Sequence, residues 1–280
     1  MLFRSQAVST LPSPLPSHGR FSFSPISQRP DYSWPGGKRL ALWVALNVET
    51  FGWGMHGPIL GNPLPMPDHR NWSWREYGNR VGIWRMLEMF DQFEIPVGHQ
   101  VNSYLYDTHP EIMTALAARQ RDEIMGHGRT NSEAPGQRPE AEERALIQEA
   151  TAAIAKKEGR APAGWMTPLQ AESEVTPDLL KEAGYKYLVD WPCDDQPYWM
   201  KTRAGPILNI PYAVETNDFL SVIHLRQDAP VYAEIVCRQF EEMVEQSAER
   251  PLVMAISLHT FIMGQRSEEH TSELQSRFGI

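Results

Sequence analysis

Arg39-Leu-Ala-Leu-Trp-Val-Ala-Leu-Asn-Val48, with Glu49 directly after it, is the stretch that decides the fold. It is a short, nearly continuous apolar run behind Pro35-Gly36-Gly37, and it reads as a buried strand rather than a helix. A Pro- and Gly-rich loop follows to about Asn71. Val81, Trp84, Leu87, Glu88 and Asp91 then show helical spacing, and Pro96 ends that helix before a second strand, Val97 to Asn102.

The same alternation continues down the chain. Pro110 to Arg119 reads as a helix with Pro in its first turn, and Asp122 to His127 as a strand. Pro139 to Glu158 is the clearest helix, with acids in its first turn, Lys156 and Lys157 in its last, and Gly159 beyond. Thr176-Pro177 opens a helix that Gly184 terminates, with Thr as the cap. Strands are expected at Tyr185 to Val189, Pro206 to Tyr212 and Leu252 to Leu258, and a helix from about Pro230 to Gln246. Strand–helix alternation implies an α/β fold with a parallel sheet, and at this length a closed or distorted (β/α) barrel is expected over an open doubly wound sheet.

The chain has 280 residues and 41% hydrophobic content, enough for one large core. Its net charge of -9 gives no basic field for a phosphate backbone, so nucleic acid is not an expected partner. No apolar run is long enough to span a membrane. Cys193 and Cys237 alone cannot build a disulfide framework or a thiolate zinc cluster, which suits a reducing compartment or a structure indifferent to redox; a cytoplasmic location is expected.

Both ends look foreign to this pattern. Residues 1–32 form an arm that lacks acidic residues up to Pro30 and is rich in Ser and Pro; it is expected to be disordered, as a tail or a targeting segment. Arg266-Ser-Glu-Glu-His-Thr-Ser-Glu-Leu-Gln-Ser276 resembles a translated sequencing adapter, so 266–280 is set apart as a non-native tail. The domain is then 33–265, C-terminally truncated relative to a closed barrel.

Glu49, His127, Asp190 and His259 each stand at the end of a different expected strand. In a parallel barrel those ends converge on one face, where acid/base groups do their chemistry, although strands also simply end on polar residues. His127 lies between Gly126 and Gly128, which leaves room for a substrate or serves a turn that needs glycine. Trp191-Pro-Cys-Asp-Asp-Gln-Pro-Tyr-Trp199 combines Asp194 and Asp195 with Trp191, Tyr198 and Trp199. Such a loop lines a pocket for a polar ring or caps a surface.

Taken in order, these segments resemble the motifs of the NodB-type polysaccharide deacetylase superfamily, from about Ser33 to Gln265. The first motif, normally Thr-Phe-Asp-Asp, stands as Asn47-Val48-Glu49-Thr50, with Glu49 at the carboxylate base and Thr50 at the metal-binding Asp. The second, normally two His four apart, stands as His127-Gly-Arg-Thr-Asn131. The third keeps Met166-Thr167-Pro168 without its Arg, the fourth Asp190-Trp191, and the last Ser257-Leu258-His259. The allantoinase-like (PuuE-type) branch is similar where the sugar deacetylases are not: Glu in the first motif, Asp194 to Trp199, Ile210-Pro211-Tyr212, Glu215 to Asp218, and Ser257 to Gly264.

The resemblance implies a NodB-type distorted barrel and a hydrolase of non-peptide carbon–nitrogen bonds, acting on a small amide, ureide or cyclic amide. Glu49 is expected as base and His259 as acid, with His127 and Asn131 on the substrate or its oxyanion and Asp190 orienting an imidazole. Trp191, Asp194, Asp195, Tyr198 and Trp199 are expected around the substrate. No cofactor is expected, because Thr and Asn are poor zinc donors; a zinc or manganese ion would fall to His127 and Asn131. The alternatives are a metal-dependent deacetylase of N-acetylated carbohydrate and an inactive binding module on the same fold. The partner is a small molecule, and homo-oligomerisation is left open.

Overall fold

The computed structural model describes residues 17–55, 57, 64–136 and 138–265. The first 16 residues and the adapter-like run 266–280 lie outside them. In chain order the elements are β1 (Leu40–Val48), α1 (His69–Tyr77), α2 (Ile83–Gln92), β2 (Val97–Val101), α3 (Leu105–Thr108), α4 (Pro110–Ala118), β3 (Glu123–Gly126) and α5 (Glu140–Glu158). They continue with β4 (Gly164–Trp165), α6 (Thr176–Glu182), β5 (Tyr187–Leu188), β6 (Tyr198–Met200), β7 (Ile207–Asn209), α7 (Ala229–Ser247), β8 (Leu252–His259) and α8 (Thr260–Met263).

The strands form one curled sheet, a half-barrel, in the order β6-β7-β5-β4-β3-β2-β1-β8. Every neighbouring pair is parallel except β6 with β7. The distorted (β/α) barrel expected from the alternation is therefore present. Its antiparallel strand β6 lies at the end of the stretch read as an aromatic loop. Among the described residues β8 has no strand on its outer side, and coil covers it instead: Val253 N donates to Asp195 O (2.9 Å), Ser257 N to Thr216 O (2.9 Å), and Thr216 Oγ1 to Ala255 O (2.6 Å). These bonds take up edge groups that would otherwise pair with another chain.

Alternation along the strands divides the core in two, because successive side chains leave a strand on opposite faces. Val44, Leu46 and Val48 pack outward with Ile83, Leu87 and Phe90 of α2 and Tyr232 and Val236 of α7. Farther round, Ile147, Ala150, Leu179 and Leu180 of α5 and α6 cover Trp165 and Leu188. Ala45, Met125, Met166, Val189, Tyr212 and Ala255 fill the concave side.

Two local readings are corrected. Thr176 does not cap α6 but is its first residue; its Oγ1 accepts from Ser173 N (2.8 Å) and donates to the buried Glu143. The expected disordered arm is also docked from Ser17 on. Arg20 pairs with Asp178 (2.9 Å), Arg29 grips Asp194 through both terminal nitrogens (2.7 Å each), and Phe21 stacks at 4.6 Å on Tyr198. Composition alone does not reveal that the body offers matching acids and rings.

Candidate active site

Glu49 leaves β1 with the parity of Ala45 and Asn47, His127 follows β3 with the parity of Met125, and His259 ends β8 with the parity of Ala255. All three side chains therefore turn to the concave side at the C-terminal mouth of the sheet. The structure brings them together: Glu49 Oε1 lies 3.4 Å from His127 Nε2 and 3.8 Å from His259 Nε2. All three are buried.

Hydrogen bonds fix each imidazole. His127 Nδ1 donates to Met166 O (2.8 Å), which leaves Nε2 facing Glu49. His259 Nδ1 lies 2.6 Å from Asp218 Oδ1, and its backbone N donates to Asp218 Oδ2 (2.7 Å). Burial pushes the Glu49 carboxyl up, yet its bond to His127 and the charges of His259, His127 and Arg75 outweigh that and hold it below its usual value. For His259, burial favours the neutral ring, but the Asp218 carboxylate at Nδ1 and Glu49 prevail and raise it. Between 4.5 and 6.5, the ordinary values of the two groups, an ionised carboxylate thus faces a protonated imidazole.

Asn102 ties the loops behind this triad together. Its Oδ1 accepts from Thr50 N (2.8 Å), and its Nδ2 donates to Asn131 Oδ1 (3.0 Å) and to His127 O. Asn131 is buried, with its carbonyl end committed to Asn102.

Asp190 does not orient an imidazole. Val189 faces the concave side, so Asp190, one residue on, turns the other way. Its oxygens accept from Thr167 N (2.8 Å) and Thr167 Oγ1 (2.6 Å). Glu172 lies against it, and burial together with the Asp190 charge raises Glu172 well above its usual value. Asp218 holds the imidazole instead; in the sequence it is only the last residue of a polar segment, with nothing to show that it reaches back to β8.

The aromatic loop is also displaced from the triad. Asp195 O bonds Val253, six residues before His259 and so about 20 Å down the strand. Trp191 Nε1 donates to Glu172 Oε2 (2.7 Å). Asp194, Asp195, Tyr198 and Trp199 border a groove of about 840 Å³ with Phe21 and Arg29, outside the sheet. The flanking glycines of His127 serve the fold. Gly128 has φ +68, and a Cβ on Gly126 would stand 2.7 Å from the Trp165 ring.

No protein-family model matches the chain. A putative polysaccharide deacetylase of Schizosaccharomyces pombe is 25% identical over 251 residues, 82% of this chain and 76% of that protein. The crystal structure of Puue allantoinase superposes with a TM-score of 0.80 at 28% identity, covering 90% of this chain and 87% of the other. A probable polysaccharide deacetylase from Pseudomonas aeruginosa PAO1 gives 0.79 at 27% identity, covering 90% and 89%. Over most of its length the chain is similar to proteins named polysaccharide deacetylase and to Puue allantoinase, and it shares their fold.

The metal ligands that the resemblance implies do not fit the residues present. Thr50 supplies a hydroxyl where the Asp belongs, the Asn131 carbonyl is bonded to Asn102, and His127 Nε2 faces Glu49. Among the described residues no group of three His, Cys, Asp or Glu is arranged to hold a metal ion. Among them also, no helix is long and apolar enough to cross a membrane.

Proposed function

We propose that this deacetylase-superfamily chain hydrolyses a small amide, ureide or cyclic amide at the Glu49–His259 pair, by acid/base catalysis that needs no resident metal. The class is a hydrolase of non-peptide carbon–nitrogen bonds. What supports the finer reading is the meeting of Glu49 Oε1 and His259 Nε2 at 3.8 Å, with His259 Nδ1 held by Asp218 at 2.6 Å.

In this reading Glu49 takes a proton from the water that attacks the carbonyl carbon. His259 Nε2 passes its proton to the departing nitrogen, and Asp218 stabilises the imidazolium until then. His127, with Nδ1 committed to Met166 O, presents Nε2 to the same space, where the carbonyl oxygen of the substrate would lie. Asn131 lies in the same wall.

Purified full-length protein treated with chelator is expected to hydrolyse members of a panel of small amides, ureides and N-acetyl sugars. Glu49→Gln and His259→Ala are each expected to lower kcat by about 10²–10⁴-fold. Full activity in both variants would remove the assignment. Stoichiometric zinc or manganese with chelator-sensitive turnover would point instead to a metal-dependent deacetylase, and ligand binding without turnover to an inactive module.

A further inference from the structure

Glu172 and Asp190 are two carboxyls side by side that the acid/base scheme does not use. Asp190 accepts from Thr167 N (2.8 Å) and Thr167 Oγ1 (2.6 Å), and Glu172 Oε2 accepts from Trp191 Nε1 (2.7 Å). Residues 166–172 therefore form a loop fastened at both ends to Asp190 and its neighbour Trp191. Between the fastenings the backbone is strained: Leu169 and Gln170 stand at φ 60 and 52, a left-handed conformation that residues with side chains disfavour. Such a loop keeps its shape only while its surroundings hold it.

This loop reaches the mouth on both sides of one residue. Met166 O accepts from His127 Nδ1 (2.8 Å), and a Cβ on Gly128 would stand 2.7 Å from Pro168 Cγ. His127 Nε2 in turn faces Glu49 Oε1 at 3.4 Å. A shift of the loop is thus a shift of the imidazole.

Glu172 Oε1 is buried and receives no donor among the described residues. The charged and titratable groups around the pair are otherwise engaged. Arg20 spends its terminal nitrogens on Asp178 and on the carbonyls of Glu174 and Lys201. The Tyr198 hydroxyl lies 3.1 Å from Cys193 Sγ, His18 stands 5.4 Å from the Trp191 ring, and His127, on the side of Asp190, is tied to Met166. Two carboxylates in contact without a cation between them repel, and a proton on one turns that repulsion into a hydrogen bond.

We propose that Glu172 is a positioning residue: as a carboxylic acid donating from Oε1 to Asp190, it completes the fastening of the 166–172 loop and so holds His127 in line at the mouth. The catalytic part rests on the function proposed above for His127; the state of Glu172 does not. Burial and the Asp190 charge raise Glu172 well above its usual 4.5, so the fastening is intact below the raised value and is lost as pH climbs through it.

Two readouts test these parts separately. Indole fluorescence of the full-length protein is followed against pH, as the difference between the protein and its Trp191→Phe variant. A transition with its midpoint above 4.5 is expected, and it should vanish in Glu172→Gln, whose amide donates but cannot ionise. On a panel amide that the protein turns over, Glu172→Leu is expected to lower kcat by about tenfold or more with KM changed less than about threefold, while Glu172→Gln restores kcat to within about threefold. Should Glu172→Leu fail to fold, as its Tm would reveal, Glu172→Asp, one methylene shorter, takes its place. The proposal is overturned by a midpoint at or below 4.5, by a transition unchanged in Glu172→Gln, by equal impairment of the Gln and Leu variants, or by full kcat in both. No turnover of any panel member counts against the catalytic reading alone, and the fluorescence titration then decides.

Discussion

Asp218 is fully buried, and both of its oxygens are spent on His259, one on Nδ1 and one on the backbone N. Removing its charge leaves burial as the main influence on the imidazole, and burial favours the neutral form. Asp218→Asn is therefore expected to move the alkaline limb of kcat/KM to lower pH and to reduce kcat roughly 10–100-fold. An unmoved limb in the variant would assign the titrating donor to another residue. At this scale the sequence was partly legible. Glu49, His127 and His259 could be found because each ends a recognisable strand, and side-chain parity confirms that they face one way. Asp190 also ends a strand, but parity turns it to Thr167 and Glu172, and β5 has only two residues from which to read that register. Asn102 and Asp218 were not legible, since their roles arise from contacts between segments far apart in the chain.

Among the elements, the π-helical turn Gly78–Gly82 between α1 and α2 sets how closely the segment after His259 can approach. A Cβ on Gly82 would stand 2.0 Å from Thr260 O, and one on Gly264 would meet Gly82 Cα at 2.3 Å. Backbone meets backbone here, so no rotamer change relieves a methyl group. Gly82→Ala is expected to cost about 1–3 kcal/mol in urea unfolding and to reduce activity through the displaced α8. Unaltered stability would mean that the two segments separate easily. Most elements were readable from periodicity and punctuation. The expected Pro139 to Glu158 helix is α5, Glu140–Glu158, with Glu140, Glu142 and Glu143 in its first turn and Gly159 at φ 72 after it. The strand β6 was missed because three residues, Tyr198–Met200, are too few to show alternation. α1 was missed because its aromatic and charged residues mark no single apolar face.

As a whole, the molecule assembles its site from the ends of separate strands in one curled sheet. β8 and β1 are adjacent, so His259 and Glu49 meet directly, while His127 arrives from β3, two strands farther round. Coil from the 191–197 and 210–218 segments covers the outer side of β8, and the segment from Ser17 to Pro30 packs over the far edge through Arg20 and Arg29. The half-barrel was legible because strands and helices alternate. The covering was not, since it depends on coil with no period of its own. In the function proposed, this mouth works as a carboxylate–imidazolium pair without a metal. Its most direct test is kcat/KM against pH for full-length protein stripped of metal, with and without added zinc. Glu49 is held below 4.5, so activity is expected to rise as pH climbs through that lowered value; His259 is held above 6.5, so activity should fall only above it. The predicted result is one bell-shaped profile, the same with and without zinc. Activity that appears only on adding zinc, or an alkaline limb below 6.5, would contradict it.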